Sequence, residues 1–583
     1  MALLILYYVC TRGVFQGKYS GDGLFGFEYL RALIYGHTLD MQKVVPEWRP
    51  YFGLDPHTHH MPNRCPFGPV LVWLPFYLIG CAIAEIGARL HLCHLRPDSL
   101  FHAWMAGLGT LAAVLVGYRQ VYVMIERHLG RGAARLGATV SVWATPIAWY
   151  AVTQPMYQHG CAFGAVALLI ERWDAHRGDP SASRFFWLGA IGGLGAAMRE
   201  QEALYLLLPG CEALYFFARG PERRRWLVGG IVLVAGALIA FSPQLAVFFY
   251  YTGGLRPPQV EPLRLAHPMV VLALFSTRAG LFPWSPIAYA STLGIALGFR
   301  ARRSGSSPAW SLAWPLGAVF LVELYVVASA FVPAGGYGYG ARRLSDAAPF
   351  LALGAAMLYA LVRAVAWKRV VAGFTALCVA LCLFSMEMQR AHRTGSSGGY
   401  ARTAGAYLRE VRAPVFLQRL FDAIGYPFSQ PAGWLFALAY RVPLSTFDGV
   451  VGNFLLDRDG QWFTVLTRSM TLNQGCRANV ISGLSLSAPA SHAPAIVTGP
   501  VRILLSMFAS EHIAVTVAGA IPQGAIAASW NGAEVKVKRL PGGCQLDVPR
   551  SLVRVGVNDL RMELPAGAHL SQLEFLPLDP WRN

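Results

Sequence analysis

From about residue 67 to residue 388 the chain is a series of apolar runs, most of them near 20 residues long, separated by short arginine-rich stretches. An α-helix needs about 20 apolar residues to cross a bilayer, and a soluble domain has no use for so many in series. The runs fall at 67–90, 100–118, 136–152, 159–172, 185–198, 201–217, 226–250, 281–299, 310–332, 349–366 and 370–388. With the apolar segment 1–15 they predict an α-helical polytopic membrane protein of roughly eleven to thirteen crossings. Segment 1–15 is short for a span, as a truncated first helix or a misplaced start would be. It also lacks the basic start and small-residue cleavage site of a signal peptide.

Charge follows the same pattern. Only 14% of the residues are charged and 55% are hydrophobic, against about 25% charged in soluble domains. The net charge of +18 would suit nucleic acid if the arginines formed one surface. They cluster instead at 119–135, 172–184, 219–225, 300–303 and 363–369, between apolar runs. The positive-inside rule places such linkers in the cytoplasm. The segments 154–159, 199–202, 252–268 and 333–348 then share the opposite side. Upstream the parity fails, because full crossings at both 67–90 and 100–118 would carry Arg119 out again. Pro69 and Pro75 single out 67–90 as a bent or re-entrant segment.

After residue 390 the periodicity changes. Residues 391–439 read as a linker and interfacial segment. Residues 440–583 hold short alternating stretches (514–517, 534–537, 560–564), with turn signals at Asn531-Gly532 and Pro541-Gly542-Gly543. This spacing predicts a β-sandwich, and parity makes it extracytoplasmic. Of the ten cysteines, Cys10, Cys81, Cys161, Cys211, Cys378 and Cys382 lie in apolar segments, and no CxxC occurs. Cys476 and Cys544 fall in the C-terminal region, where a disulfide is open to them in an oxidising compartment.

Chemistry concentrates in the first outer loop, 16–66, which opens with Ser20-Gly21-Asp22-Gly23. A carboxylate beside the membrane can serve as general base toward a hydroxyl. Asp22 equally suits the cap of a helix beginning near Leu24. Glu28 either joins Asp22 on a divalent cation or sits on a wet helix face. His57, His59 and His60 with Asp55 offer a second cation site, or a solvated loop. Arg64 opens the segment leading into the membrane. Three further groups lie on the same side by parity. Arg199, Glu200 and Glu202, in MREQEALYLLLP, either hold a phosphate or pair with one another. Arg342 and Arg343, in GGYGYGARRLSDAAPF, suit an anionic head group, with Asp346 as their alternative partner. His159, in MYQHG, reads as an interfacial histidine. The sequence holds no nucleotide-binding phosphate loop and no HExxH zinc motif.

The order of these motifs is that of a known family. GDG and FGFEYLRALIYG are followed by GHTLD, NxxPxGPxLxWxP, QPMYQH, MRxQEAL, RAGLFPWSP and GYGYGARR. Across residues 1–390 this resembles the GT-C superfamily of integral membrane glycosyltransferases. The likeness is to bacterial proteins related to protein O-mannosyltransferases and lipid A aminoarabinose transferases. The resemblance implies a multi-pass protein of the bacterial inner membrane that acts at the extracytoplasmic face. Sugar would pass with inversion from a polyprenyl-phosphate donor to a glycan, lipid or protein acceptor. It maps the catalytic aspartate onto Asp22, and phosphate contacts onto Arg199 and Arg342 or Arg343. Glu28, His59, His60, Arg64, His159 and Glu200 stand as accessory positions. Family members often pair two acidic residues in this loop, whereas here Glu28 is the nearest to Asp22, so a divalent cation stays open. Two other readings use the same residues. One is a transporter or flippase of a lipid-linked glycan, with Glu323 as its buried acid. The other is a non-catalytic envelope assembly protein that binds through its β-domain.

Overall fold

The structure is a computed structural model. It describes residues 5, 22–96, 99–259, 263–277, 279–302, 309–330, 338–394, 414–451, 469–472, 479–486, 493–507 and 512–578. Segment 1–15, apart from residue 5, and Cys476 lie outside them. Two compact units divide the chain: 1–261, 284–324 and 341–398 form one, and 262–283, 325–340 and 399–583 the other.

The first unit is helical. Its main helices are α1 (Asp22–Ile34), α2 (Gly68–Arg89), α3 (Leu100–Trp143), α4 (His159–Ala175), α5 (Ala182–Met198), α6 (Leu207–Arg219), α7 (Arg223–Thr252), α8 (Ile287–Arg302), α9 (Trp310–Ser329, whose residues 325–329 belong to the second unit), α10 (Ala348–Leu361) and α11 (Val365–Thr394). Among the described residues six helical stretches are long and apolar enough to cross a membrane: α2, α3, α7, α9, 342–361 and 365–387. The protein is a multi-pass membrane protein. The remaining apolar runs form helices of 13 to 17 residues, or about 20–25 Å at 1.5 Å per residue.

Two sequence expectations change here. Residues 67–90 do not form a broken segment. Pro69 stands in the first turn of α2, where its missing N–H costs nothing, and the helix continues through Pro75 to Arg89. The stretch 119–135 is helix rather than linker. A Cβ on Gly137 would come 2.4 Å from Cδ1 of Ile125, yet twelve residues of straight helix span about 18 Å. The chain therefore reverses at Gly130, whose φ of 80° an L side chain rarely adopts.

The reversal carries a charged cluster. Arg127 reaches Glu171 and Asp174 of α4 at 2.6 Å each, and His128 reaches Asp174 at 2.8 Å. Arg184 of α5 meets Glu212 of α6 at 2.6 Å. Arg127, His128 and Arg184, from the basic stretches 119–135 and 172–184, thus gather at one end of α4 and α5. His159 and Arg199 lie at the other end of the same two helices, about 25 Å away. Glycines let α5 and α7 approach closely: a Cβ on Gly189 or Gly193 would meet the carbonyl oxygens of Leu233 and Ala237 at 2.0 and 2.2 Å.

Among the described residues the second unit is built on an antiparallel sheet of ten strands: β1 (Ser469–Thr471), β2 (Val480–Ser485), β3 (Ala495–Met507), β4 (Ile513–Ala520), β5 (Ala527–Trp530), β6 (Ala533–Glu534), β7 (Lys536–Leu540), β8 (Gly543–Val548), β9 (Gly556–Glu563) and β10 (His569–Pro577). One leaf runs β7-β8-β4-β10-β1 and the other β2-β3-β9-β5-β6. They join where Ala495 and Ile496 of β3 pair with Leu570 and His569 of β10. Val501, Ile503, Val515, Val517, Leu546 and Leu573 fill the core with Trp530. The predicted strand 534–537 is two strands, because the chain changes leaf at Val535: β6 pairs with β5, and β7 with β8. Cys544 is a free buried thiol, pushed up to about 11 by burial. Within the expected linker 391–439 the structure forms helices α12 (Val415–Ile424) and α13 (Ala432–Tyr440), of which the second packs with the short helix Val270–Phe275.

Candidate active site

The described part of the loop, 22–66, is built of helices and tight turns. α1 buries Phe27, Tyr29 and Leu30 completely, and this anchors Asp22 at its first turn. Gly23 lies flat against Tyr157, which a Cβ there would meet at 2.9 Å. Cys65 Sγ donates to the Asp22 carbonyl at 3.3 Å. The Asp22 carboxylate faces Arg342, whose Nη1 donates to Oδ2 at 2.6 Å from 320 residues away. Their side chains are 33% and 15% exposed, so the pair is half-sheltered yet open to one side.

Arg342 begins a short 3-10 turn, Arg342–Ala347. Four side chains from other elements hold that turn. His159 Nδ1 lies 3.2 Å from Ser345 Oγ. Gln201 Nε2 donates to the Arg343 carbonyl at 2.8 Å. Tyr205 Oη donates to the Asp346 carbonyl at 3.0 Å, and Arg199 pairs with the Asp346 carboxylate. Glu323 accepts from Gln201 Nε2 at 3.1 Å and lies 2.9 Å from Tyr205 Oη, whose single proton it shares with the Asp346 carbonyl. Arg199 also lies 3.3 Å from Glu202. Glu202, Glu323 and Asp346 are all buried around this one guanidinium. A buried carboxylate without a partner is costly, so the group stands or falls as a unit.

The expected residues therefore separate. Asp22, His159, Arg199, Arg342 and Arg343 converge. Arg199 directs its Nη atoms to Asp346, Glu202 and Gln201, which is the internal pairing weighed against a phosphate contact. His159 is buried inside the protein, its ring tilted against that of Tyr150 with centroids 4.4 Å apart. Glu200 is exposed. Glu28 is buried and meets Arg31 at 2.6 Å, so it occupies no wet face.

The histidine loop is built as a turn. Asp55 Oδ1 accepts the N–H groups of His57 at 2.9 Å and Thr58 at 3.1 Å. Its slight burial would raise this carboxyl, but those N–H donors outweigh it and hold the group below the usual carboxylate range. His59 is exposed. His60 stacks on Tyr250 at 4.4 Å and lies 3.5 Å from Asp40. The Arg64 guanidinium covers the Phe52 ring at 4.5 Å. Among the described residues no three His, Cys, Asp or Glu side chains group as metal ligands would.

Sequence reasoning missed Gln201, Tyr205 and Ser345. A signal was present. Arg199, Glu202 and Tyr205 recur every third residue, and Glu200–Leu206 is a 3-10 helix, in which that spacing makes one face.

No family model matches the sequence, and no curated protein matches it. The likenesses found are to solved structures, at scores too low to bear on the chemistry of the site. The chain is similar to ArnT from Cupriavidus metallidurans in the apo state, with 13% identity and a TM-score of 0.38 over 67% of this chain and 68% of that one. It is also similar to the arabinosyltransferase EmbB from Mycobacterium smegmatis, with 11% identity and a TM-score of 0.35 over 99% of this chain and 64% of that one.

Proposed function

We propose that this protein transfers a sugar from a polyprenyl-phosphate donor to an acceptor hydroxyl, with Asp22 as general base. The observation that carries the reading is the 2.6 Å approach of Arg342 to Asp22. An acid and a guanidinium at one half-open position match what the reaction needs. Asp22 takes the hydroxyl proton as the acceptor oxygen bonds to C1 of the sugar. The bond from C1 to the phosphate oxygen breaks, and the polyprenyl phosphate leaves with the electron pair. Attack opposite the leaving group inverts C1. Arg342 and Arg343 hold the phosphate as its charge grows. Phosphate already leaves well, so no general acid is required.

Arg199 takes a different part in this scheme. Paired with Asp346, it positions the turn that presents Arg342, together with Gln201, Tyr205 and His159. The site belongs to the extracytoplasmic face of the inner membrane, since the charged cluster around Arg127 and Arg184 stands at the far end of α4 and α5. The β-sheet unit lies on the extracytoplasmic side, where it would meet a glycan, lipid or protein acceptor.

The test uses purified protein in nanodiscs, a panel of labelled polyprenyl-phosphate hexoses and pentoses, and membrane-lipid and glycan acceptors. Release of free polyprenyl phosphate with label appearing on an acceptor is expected for one donor. Recovery of every donor intact refutes the proposal. Translocation of an intact donor across proteoliposomes would favour the transporter reading instead.

A further inference from the structure

Helix α13, AGWLFALAY, has no charged residue along its nine positions. Apolar helices of this kind are buried or lie in a membrane. α13 is buried on one side only, where Ala432 and Phe436 join the core formed with Leu272 and Ala279. Its other side is open: Trp434 is 55% exposed, Leu435 67% and Leu438 78%. At 100° per residue these three positions share one stripe. Helix α12 repeats the pattern, with Phe416 and Leu420 exposed on its apolar face.

The same unit is fastened to the end of a span. Residues 325–329 close α9, which is long and apolar enough to cross the membrane. Tyr325 Oη donates to the Leu265 carbonyl at 2.5 Å, the Arg264 N–H to the Ser329 carbonyl at 2.6 Å, and the Met269 N–H to the Ala328 carbonyl at 2.8 Å. The segment so clamped exposes Leu265 and Val271 and leads directly into the Leu272 side of the α13 core. A chain of contacts thus runs from the last turn of α9 to the buried side of α13 within one unit. Packed helices stand about 8–10 Å apart, and the headgroup region adds only about 5–8 Å beyond the hydrocarbon on each side. Nine residues span about 13 Å, too short to cross.

We infer that α13 and α12 are seated in the outer boundary of the bilayer, with Trp434, Leu435 and Leu438 among the acyl chains. The occupant of this apolar face is lipid. Trp434 has the residue type of the membrane interface. Arg419 and Arg441, both exposed, flank the two faces where lipid phosphates would meet them. These two helices therefore give their own unit a direct contact with lipid.

The full-length protein in nanodiscs, with a phospholipid bearing a diazirine on its acyl chain, tests this by photolysis and peptide mass spectrometry. Adducts are expected on 432–440 as well as on the exposed Leu238 and Ile239 of α7. The double variant Leu435→Glu, Leu438→Glu should lose at least tenfold of the 432–440 adducts and keep those on α7. Adducts on α7 with none on 432–440 of the unaltered protein overturn the inference. So do cross-links from 432–440 to a second protein chain in place of lipid.

Discussion

Tyr205→Phe removes a single oxygen and leaves the ring in place. That oxygen lies 2.9 Å from the Glu323 carboxylate and 3.0 Å from the Asp346 carbonyl, and Tyr205 is almost wholly buried. A hydrogen bond to a charged group contributes about 1.5–3 kcal/mol, and an acceptor stranded without water costs a similar amount. A loss of about 2 kcal/mol is expected, the equivalent of about thirty-fold in an equilibrium or rate constant. Because Tyr205 holds the turn that carries Arg342 and does not itself touch substrate, the loss should appear in two ways. Thermal unfolding in detergent should fall by several degrees. Donor KM should rise while kcat stays within a few-fold, the pattern of weakened binding common to ground and transition states. Restoring a hydroxyl by Tyr205→Ser, which shortens the side chain, should not rescue either quantity. Wild-type melting together with wild-type donor KM in Tyr205→Phe would refute the idea that this network positions the turn.

Asp22→Asn should lower kcat by about two to four orders of magnitude, as loss of a general base does, with the melting temperature held within a few degrees; unchanged turnover would remove Asp22 from the chemistry. Arg342→Ala should weaken donor binding at least tenfold, measured by equilibrium binding of a non-hydrolysable polyprenyl phosphonate, and an unaltered affinity would move the phosphate elsewhere. Asp448 lies in the second unit, where burial pushes its carboxyl up to about 6 against the N–H of Tyr426 and the hydroxyl of Ser429. A raised carboxyl favours the protonated fold, so its contribution is fully present below about pH 4 and is lost as pH rises through about 6, a change of about 3 kcal/mol. Asp448→Asn should therefore gain melting temperature over the unaltered protein as pH goes from 4.5 to 7, and a pH-independent difference would contradict the sign.

Much of the architecture was legible because it rests on local periodicity. Apolar runs near 20 residues and alternation near 514–517 and 560–564 name their own elements. What stayed hidden depends on contacts the sequence does not order. Gly130 reverses α3 inside a run of good helix formers, and only the meeting of Ile125 with Gly137 reveals it. Val535 changes leaf inside a perfectly alternating stretch, because the period of two is the same on either sheet. In the site, Asp22 and Arg342 are each conspicuous alone, yet nothing local joins residues 320 apart. Arg199 invited a phosphate because its carboxylate Asp346 lies 147 residues downstream, whereas Glu202, its visible neighbour, makes only part of the pairing.

The turn at Arg342–Ala347 also imposes an order in time. His159, Arg199, Gln201 and Tyr205 all close on it, and Asp22 faces its first residue. A nascent chain that has threaded most of its helices still has an acid with no cation opposite it and four side chains without the turn they hold. Competence would arrive late and all at once, when the turn before α10 leaves the insertion machinery, so half-made copies would stay inert toward lipid donors already in the bilayer.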